Sequence, residues 1–177
     1  YYSDPDKPKD LIKMISNASG MKTEYIYDLY GRNTKVSETI ETNKSFIFEY
    51  QYNNKNQIER ITYPGSKVVK YEYSYGDLKK IIWDHSNTVV WEKLSDNAKG
   101  QLVSTRAGNG IQTNYQYIAT GISTSIKSMN GITAILNLSY PSDQIDSRGN
   151  IKQRKDDYNV LSETFTYDNL NRLSTNV

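Results

Sequence analysis

YIYDLYGRN, residues 25–33, carries the unit from which the chain is built. Tyr25 and Tyr27 stand two apart, so in an extended strand both side chains lie on one face. Asp28 can accept the backbone N–H two residues on and so opens a turn, and Gly31 takes the positive φ that closes it. Arg32 then leads into a return strand, which completes a strand-turn-strand unit.

Further copies follow with decreasing fidelity. YQYNNKNQI at 50–58 has Tyr50, Tyr52, Asn53 and Asn56, with Asn in place of both Asp and Gly because it also tolerates the left-handed region. YSYGDLKKI at 73–81 carries Tyr73 and Tyr75 before a shorter turn at Gly76, and SDNAKGQL at 95–102 keeps Asn97, Gly100 and Leu102. YQYIATGI at 115–122 keeps Tyr115, Tyr117 and Gly121, and IDSRGNI at 145–151 keeps Asp146, Gly149 and Ile151. FTYDNLNRL at 165–173 restores Phe165, Tyr167, Asp168, Asn171 and Arg172. The turn-closing positions 31, 56, 76, 100, 121, 149 and 171 are 25, 20, 24, 21, 28 and 22 residues apart, the spacing of repeat architectures. This predicts an all-β chain of antiparallel strand-turn-strand repeats forming one twisted, curved sheet, part of a β-shell or an open barrel.

YxYDxxGR at 25–32 and FxYDxxNRL at 165–173, with ITYPGSKVVKYEY at 61–73 and GNGIQTNYQY at 108–117, resemble the Rhs/YD-repeat family, and the resemblance runs from about residue 20 to residue 175. That family includes bacterial Rhs polymorphic toxins, cocoon subunits of insecticidal toxin complexes and teneurins. The resemblance implies repeats that spiral into a hollow β-shell, which in bacterial members can enclose a C-terminal toxin. The family's autoprotease segment follows its repeats and carries a DPxGL-like motif. This chain has no such motif, so neither autoproteolysis nor a toxin activity is implied for it.

Composition narrows the classes. The 177 residues are 36% apolar with a mean hydropathy of −0.75, lean for a compact core. Sixteen tyrosines argue against disorder and suit a sheet with one wet face. With no cysteine there is neither a disulfide framework nor a thiolate metal site. The net charge of +2 arises from interspersed charges, which gives no concentrated field for nucleic acid, and no apolar run is long enough to span a membrane as a helix. Residues 1–9 read as a flexible lead-in arm and residues 10–177 as one repeat domain. The stretch around Leu11, Met14 and Ile15 is expected to form a first hairpin, with a short helix as the alternative. Pro64-Gly65 and Asn130-Gly131 mark further turns.

Few residues invite chemistry. IIWDHSNTVVW is nearly symmetric about Asn87, which would set Trp83 opposite Trp91 across a hairpin as a structural staple; the two could also form a glycan-stacking platform. His85 is the only histidine, and neither Asp84 with Glu92 nor Asp143 with Asp146 can be set at catalytic separation from sequence. No catalytic residue, metal ligand or cofactor is therefore assigned. The leading expectation is a non-catalytic structural segment of a bacterial secreted or surface Rhs/YD-repeat protein, whose β-shell encloses and shields an attached toxin or effector. Its partners would be neighbouring repeats of a longer parent and the C-terminal cargo. The alternatives are an adhesion or carbohydrate-binding module using exposed Tyr and Trp, and a small self-contained secreted or lipid-anchored barrel. Exposed sheet edges also suggest a homodimer.

Overall fold

The computed structural model describes residues 11–41 and 44–176, so the arm expected at 1–9 lies outside the described residues. The chain is all-β, and its strands pair antiparallel with their neighbours in sequence. It divides into two compact units, one up to Thr88 and one from Val89. The first holds β1 (Met14–Ser16), β2 (Lys22–Tyr27), β3 (Asn33–Glu41), β4 (Lys44–Tyr52), β5 (Ile58–Tyr63), β6 (Lys67–Ser74) and β7 (Asp77–Trp83). The second follows with β8 (Thr88–Asp96), β9 (Leu102–Ala107), β10 (Gln112–Tyr117) and β11 (Ser123–Asn130). It continues with β12 (Thr133–Ser139), a 3-10 turn at Ser142–Gln144, β13 (Gln153–Asp156), β14 (Leu161–Tyr167) and β15 (Leu173–Asn176).

In the first unit the period-two pattern separates the faces. Tyr50 pairs with Ile61, Ile61 with Val69 and Val69 with Trp83, while Tyr71 pairs with Ile81 in the next row. Phe48 meets Tyr63 edge-on at 6.0 Å between ring centroids. The opposite face carries Lys35 paired with Glu49, their ion pair 3.3 Å long, and Lys70 beside Glu72 at 3.2 Å. One face is thus aromatic and aliphatic, while the other carries the charged pairs together with Ile82, which faces Lys70. The core is thin: only Tyr27, Val69 and Ile82 are buried hydrophobics among the described residues.

The second unit buries hydroxyls where the first buries apolar side chains. On its tyrosine face Thr105 pairs with Thr113 and Thr113 with Ser128; Thr105 and Ser128 are buried, and the Thr113 and Ser128 hydroxyls lie 2.9 Å apart. On the other face Ser104 Oγ donates to Asn114 Oδ1 at 2.9 Å, and Gln112 Nε2 donates to Ser104 Oγ at 3.0 Å. Satisfied hydrogen bonds make this polar interior tolerable.

A bulge recurs beside the second tyrosine of each repeat. Ile26 faces Lys35 but Tyr27 faces Asn33, so Thr34 is an extra residue on the return strand. The same shift falls at Gln51/Tyr52, Glu72/Tyr73, Gln116/Tyr117 and Thr166/Tyr167. Each bulge bends its strand and sharpens the local twist, so the curvature expected of the repeat is built in at one fixed place.

Two expected registers move. The first hairpin forms, with β1 and β2 joined at Asn17, whose Oδ1 accepts the N–H groups of Ser19 and Met21 at 3.0 and 3.1 Å. Asn130-Gly131 is not the loop pair: Asn130 faces Thr133, so Gly131 and Ile132 form the turn, Gly131 taking the positive φ of its first position at 59°. The Trp hairpin is not centred on Asn87 either, because the Asn87 N–H closes the turn on the Trp83 carbonyl at 2.7 Å. Trp83 therefore ends β7 at the turn itself, while Trp91 lies three residues into β8 and faces Ala107.

Candidate functional site

The repeat-defining residues converge on turns of one design. Asp28 Oδ1 accepts the N–H of Tyr30 at 2.9 Å and of Arg32 at 3.0 Å, while the Gly31 N–H donates to the Asp28 carbonyl at 3.1 Å. The Asp28 N–H in turn reaches the Arg32 carbonyl at 2.9 Å. Asn53, Asn97, Asp146 and Asp168 each repeat this pair of side-chain acceptances within the five-residue turns they open. The fourth residue has positive φ throughout: Gly31, Asn56, Gly100, Gly149 and Asn171. The turn at 118–122 keeps the same backbone bonds around Gly121 although Ile118 has no side-chain acceptor.

The second tyrosine of each pair joins one repeat to the one before it. Tyr52 donates its hydroxyl to the Asn33 carbonyl, Tyr73 to Ile58, Tyr117 to Leu102 and Tyr167 to Ile151, each at 2.8 Å; Tyr27 reaches Ile12 at 2.9 Å. Every acceptor except Ile12 is the first residue after a turn. Tyr25 stacks on Tyr27 with ring centroids 6.4 Å apart; Tyr50, Tyr115 and Phe165 hold the same first place in their pairs. The copy at 73–81 must be shifted: Tyr71 and Tyr73 are its strand pair, and Tyr75 lies in the turn itself at φ 52°, fully exposed, because Ser74 faces Asp77 and leaves only Tyr75 and Gly76 to connect the strands.

The fifth residue of the turn makes a second joint. Arg32 Nη1 donates to Asn56 Oδ1 at 2.7 Å, Gln57 Nε2 to the Gly76 carbonyl at 2.7 Å, Gln101 Nε2 to the Gly121 carbonyl at 2.8 Å and Asn150 Nδ2 to Asn171 Oδ1 at 3.1 Å. Lys99 adds a bond to the Ala119 carbonyl, and Arg148 one to Asn171 at 3.1 Å. At 122 the residue is Ile, and contact takes over from hydrogen bonding: a methyl on Gly149 would stand 3.3 Å from Ile122 Cδ1.

The electrostatics follow this geometry. Burial pushes the Asp28 carboxyl up, but the bonds from the Arg32 guanidinium and the N–H groups of Arg32 and Tyr30 outweigh it and hold it below its ordinary value. Asp146 is lowered first by the Asn150 N–H, and Asp168 first by the Arg172 N–H and then by its guanidinium. Burial raises the phenols of Tyr50, Tyr52, Tyr73 and Tyr117, and with Tyr63 beside it pushes Tyr71 to about 12. A raised phenol stabilises the fold fully below the unfolded value of 10.0 and loses that contribution as pH climbs through the folded value. Tyrosinate absorbance is therefore expected to rise late and steeply, together with loss of sheet circular dichroism, between about pH 10 and 12. Smooth ionisation near 10 with an unchanged dichroism spectrum would contradict this.

Two residues just after turns are out of keeping with their site. Ile58, Leu78, Leu102, Ile151 and Leu173 are aliphatic there, whereas Asn33 Oδ1 and Ser123 Oγ are buried with no hydrogen-bond partner among the described residues. Asn33→Leu and Ser123→Ile should each raise stability by about 1 kcal/mol in urea unfolding, by removing an unsatisfied buried polar atom. A loss of stability in both would show that these atoms are solvated in the native protein.

The residues weighed for chemistry fall elsewhere. Trp83, Asp84 and His85 line an open groove of about 440 Å³ with Ser66, Lys67, Val68 and Ser86, between the loops that follow β5 and β7. Trp83 is 38% exposed, and Asp84 Oδ1 accepts from Arg60 Nε at 3.3 Å, which fixes the carboxylate at the rim. Among the described residues Asp143 Oδ2 accepts the amide of Gln144 at 3.3 Å, while Asp146 is engaged in its own turn. Among the described residues no three His, Asp or Glu side chains gather as a metal centre would require. The groove can stack a flat ring on the indole and present hydroxyl and carboxylate partners.

No family model and no curated protein matches the chain. Solved structures do. A TcdB2-TccC3-TEV structure superposes with a TM-score of 0.70 at 19% identity over 89% of this chain. A TcdB2-TccC3-Cdc42 structure gives 0.69 at 18% over 88%, and a Photorhabdus luminescens Tc holotoxin pore gives 0.67 at 19% over 86%. In each case the chain spans 9% of the solved chain's length. This likeness shows that the chain shares the fold of a stretch of these Tc toxin chains.

Proposed function

We propose that this chain is a non-catalytic structural segment of a bacterial secreted or surface Rhs/YD-repeat protein, a stretch of β-shell wall that encloses and shields an attached toxin or effector. The observation that carries the reading is the double joint, tyrosine to carbonyl and turn to turn, which stacks repeats into a wall with very little buried core. The likeness in fold to Tc toxin structures supports it, as does the small share of those chains that this one spans. The work of such a wall is exclusion, with a wet, hydrogen-bonded surface that holds a polypeptide without a specific site. Its partners are neighbouring repeats and the cargo. Protease challenge of the parent protein, before and after denaturation, tests the proposal: a segment cut only after unfolding is the expected cargo. A parent in which every segment outside the repeats is cut equally in both states would overturn it.

A second reading rests on the Trp83 groove, whose exposed indole and fixed Asp84 carboxylate suit a sugar ring. Saturable retention on a glycan surface, lost in Trp83→Ala with the dichroism spectrum unchanged, would favour adhesion. No retention across a broad glycan panel would remove it.

A further inference from the structure

We propose that Asn130 is a site of spontaneous, backbone-assisted deamidation, which turns the tip of the β11–β12 hairpin from a neutral amide into a carboxylate, while the fold holds the same tripeptide at Asn109 back. The proposal is independent of the shell reading.

Asn-Gly-Ile occurs twice, at 109–111 and at 130–132, so the local chemistry is the same at both. The amide nitrogen of the glycine gives its proton to hydroxide and attacks Cγ of the asparagine. A new C–N bond forms, the side-chain nitrogen takes a proton and leaves as ammonia, and a succinimide ring remains. Water then adds to one of the two ring carbonyls and breaks that carbon's bond to the ring nitrogen. Opening at Cγ gives aspartate. Opening at the main-chain carbonyl gives isoaspartate, whose backbone runs through the former side chain and is one carbon longer. The sum is amide plus water to carboxylic acid plus ammonia, with no further reactant. Glycine favours the attack because it has no Cβ to crowd the approach.

The fold treats the two sites in opposite ways. At Asn109 both reacting groups are engaged: the Gly110 N–H donates to the Ala107 carbonyl at 2.9 Å, and Asn109 Oδ1 accepts the Ile111 N–H at 3.2 Å. The rest of the turn is held by the Ala107 N–H on the Ile111 carbonyl and the Gly108 N–H on the Val90 carbonyl, each at 2.8 Å. At Asn130 neither the side-chain amide nor the Gly131 N–H has a hydrogen-bond partner among the described residues. Asn130 and Gly131 are exposed, a carbon added at Gly131 would meet nothing within 4 Å, and the adjoining Ile132 is 98% exposed. Hydroxide and water therefore reach the site.

Attack also requires the Asn130 backbone to leave its extended strand conformation, and the hairpin makes that easy. Ser128 faces Leu136 but Met129 faces Ala134, so Ile135 is an extra residue, and only the pairs Met129–Ala134 and Asn130–Thr133 lie between this bulge and the turn. The bulge interrupts the ladder, and a tip so short opens on its own. The same bulge limits the consequence. An added backbone carbon has no place in a turn of two residues, so both pairs are lost on conversion to isoaspartate, and the loss stops at Ser128–Leu136.

The test incubates the native full chain in water labelled with heavy oxygen, at a mildly alkaline pH below the tyrosine transition, beside a sample unfolded in urea. Cleavage after Arg106, Lys127 and Arg148 puts Asn109 and Asn130 on separate peptides, and fragment masses locate the label. In the native chain one heavy oxygen should enter at residue 130. Asn109 should convert about tenfold more slowly or less, as two hydrogen bonds broken before attack imply. In urea the two identical tripeptides should convert at similar rates. Amide NMR signals of the aged chain should change between Met129 and Ala134 and hold beyond Ser128 and Leu136. Asn130→Gln keeps an amide but would have to close a larger ring, and it should show neither label nor spectral change. Equal native rates at the two sites, faster conversion at Asn109, or an Asn130 that stays intact in the native chain while the unfolded chain converts would overturn the proposal. Spectral changes running past Leu136 would overturn the confinement to the tip.

Discussion

Gly108→Ala should be the most damaging single-methyl change in the second unit, lowering its stability by about 3 kcal/mol, as overpacking against rigid backbone does. The reason is steric. Gly108 donates its N–H to the Val90 carbonyl at 2.8 Å, and this brings its Cα so close to the neighbouring strand that an added Cβ would collide with the Val89 oxygen and stand 3.2 Å from Val90 Cα. Both obstacles are main chain, so no side chain can rotate away. Relief requires β8 and the start of the 107–111 turn to separate, which breaks the Gly108 bond. Gly110→Ala is the control, since Gly110 has φ 86° but nothing within 4 Å of its added carbon. Its cost should stay near the left-handed penalty of about 1 kcal/mol. Denaturant unfolding followed by circular dichroism distinguishes the two, and equal losses would mean that backbone conformation and not the close approach sets the requirement.

The turns were the most legible part of the chain, and for a local reason. An Asx residue that captures two N–H groups and a left-handed residue three places on are chemistry contained within five residues, so Asp28, Asn53, Asp146 and Asp168 could be placed from sequence alone. What was hidden depends on neighbours. Tyr75 follows Tyr73 at the same spacing as a true pair, and only the register that sets Ser74 against Asp77 moves the pair back to Tyr71 and Tyr73. The symmetry of residues 81–91 suggested a tryptophan pair, but a four-residue loop closed on Trp83 cannot centre on Asn87. The bulges leave no signal in residue type, since the extra residue is Thr34 in one repeat and Ser174 in another. The turn-to-turn ladder was half visible: a long polar residue after the Gly or Asn was evident, but its partner lies in the next repeat, 19 to 24 residues away. The Trp83 groove was not legible at all, because it joins the loops after β5 and β7 through register.

Arg32→Ala should cost the first unit about 2 to 3 kcal/mol, the sum expected for a half-buried charge-assisted pair, one further hydrogen bond and a cation–π contact. The guanidinium serves all three at once: Nε and Nη2 lie 2.6 Å from Asp28 Oδ2, Nη1 donates to Asn56 Oδ1 at 2.7 Å, and its carbon sits 4.4 Å from the Tyr52 ring centroid and 5.0 Å from that of Tyr30. Removing it leaves the Asp28 carboxylate with only its backbone donors and uncovers the tyrosine that joins the two repeats. Arg32→Lys should recover less than half of the loss, because a single ammonium cannot bond Asp28 and Asn56 in one plane while stacking on a ring. Arg172→Ala provides the comparison. Its ion pair with Asp168 is as short, at 2.7 Å, but the side chain is 73% exposed and lies over no ring among the described residues, so its loss should fall within about 0.5 kcal/mol. A double-mutant cycle between Arg32 and Tyr52 in urea then measures the part that belongs to the joint. A coupling near zero, or equal losses at Arg32 and Arg172, would mean that the arginine serves only its own turn and that the tyrosine hydroxyls alone hold one repeat to the next.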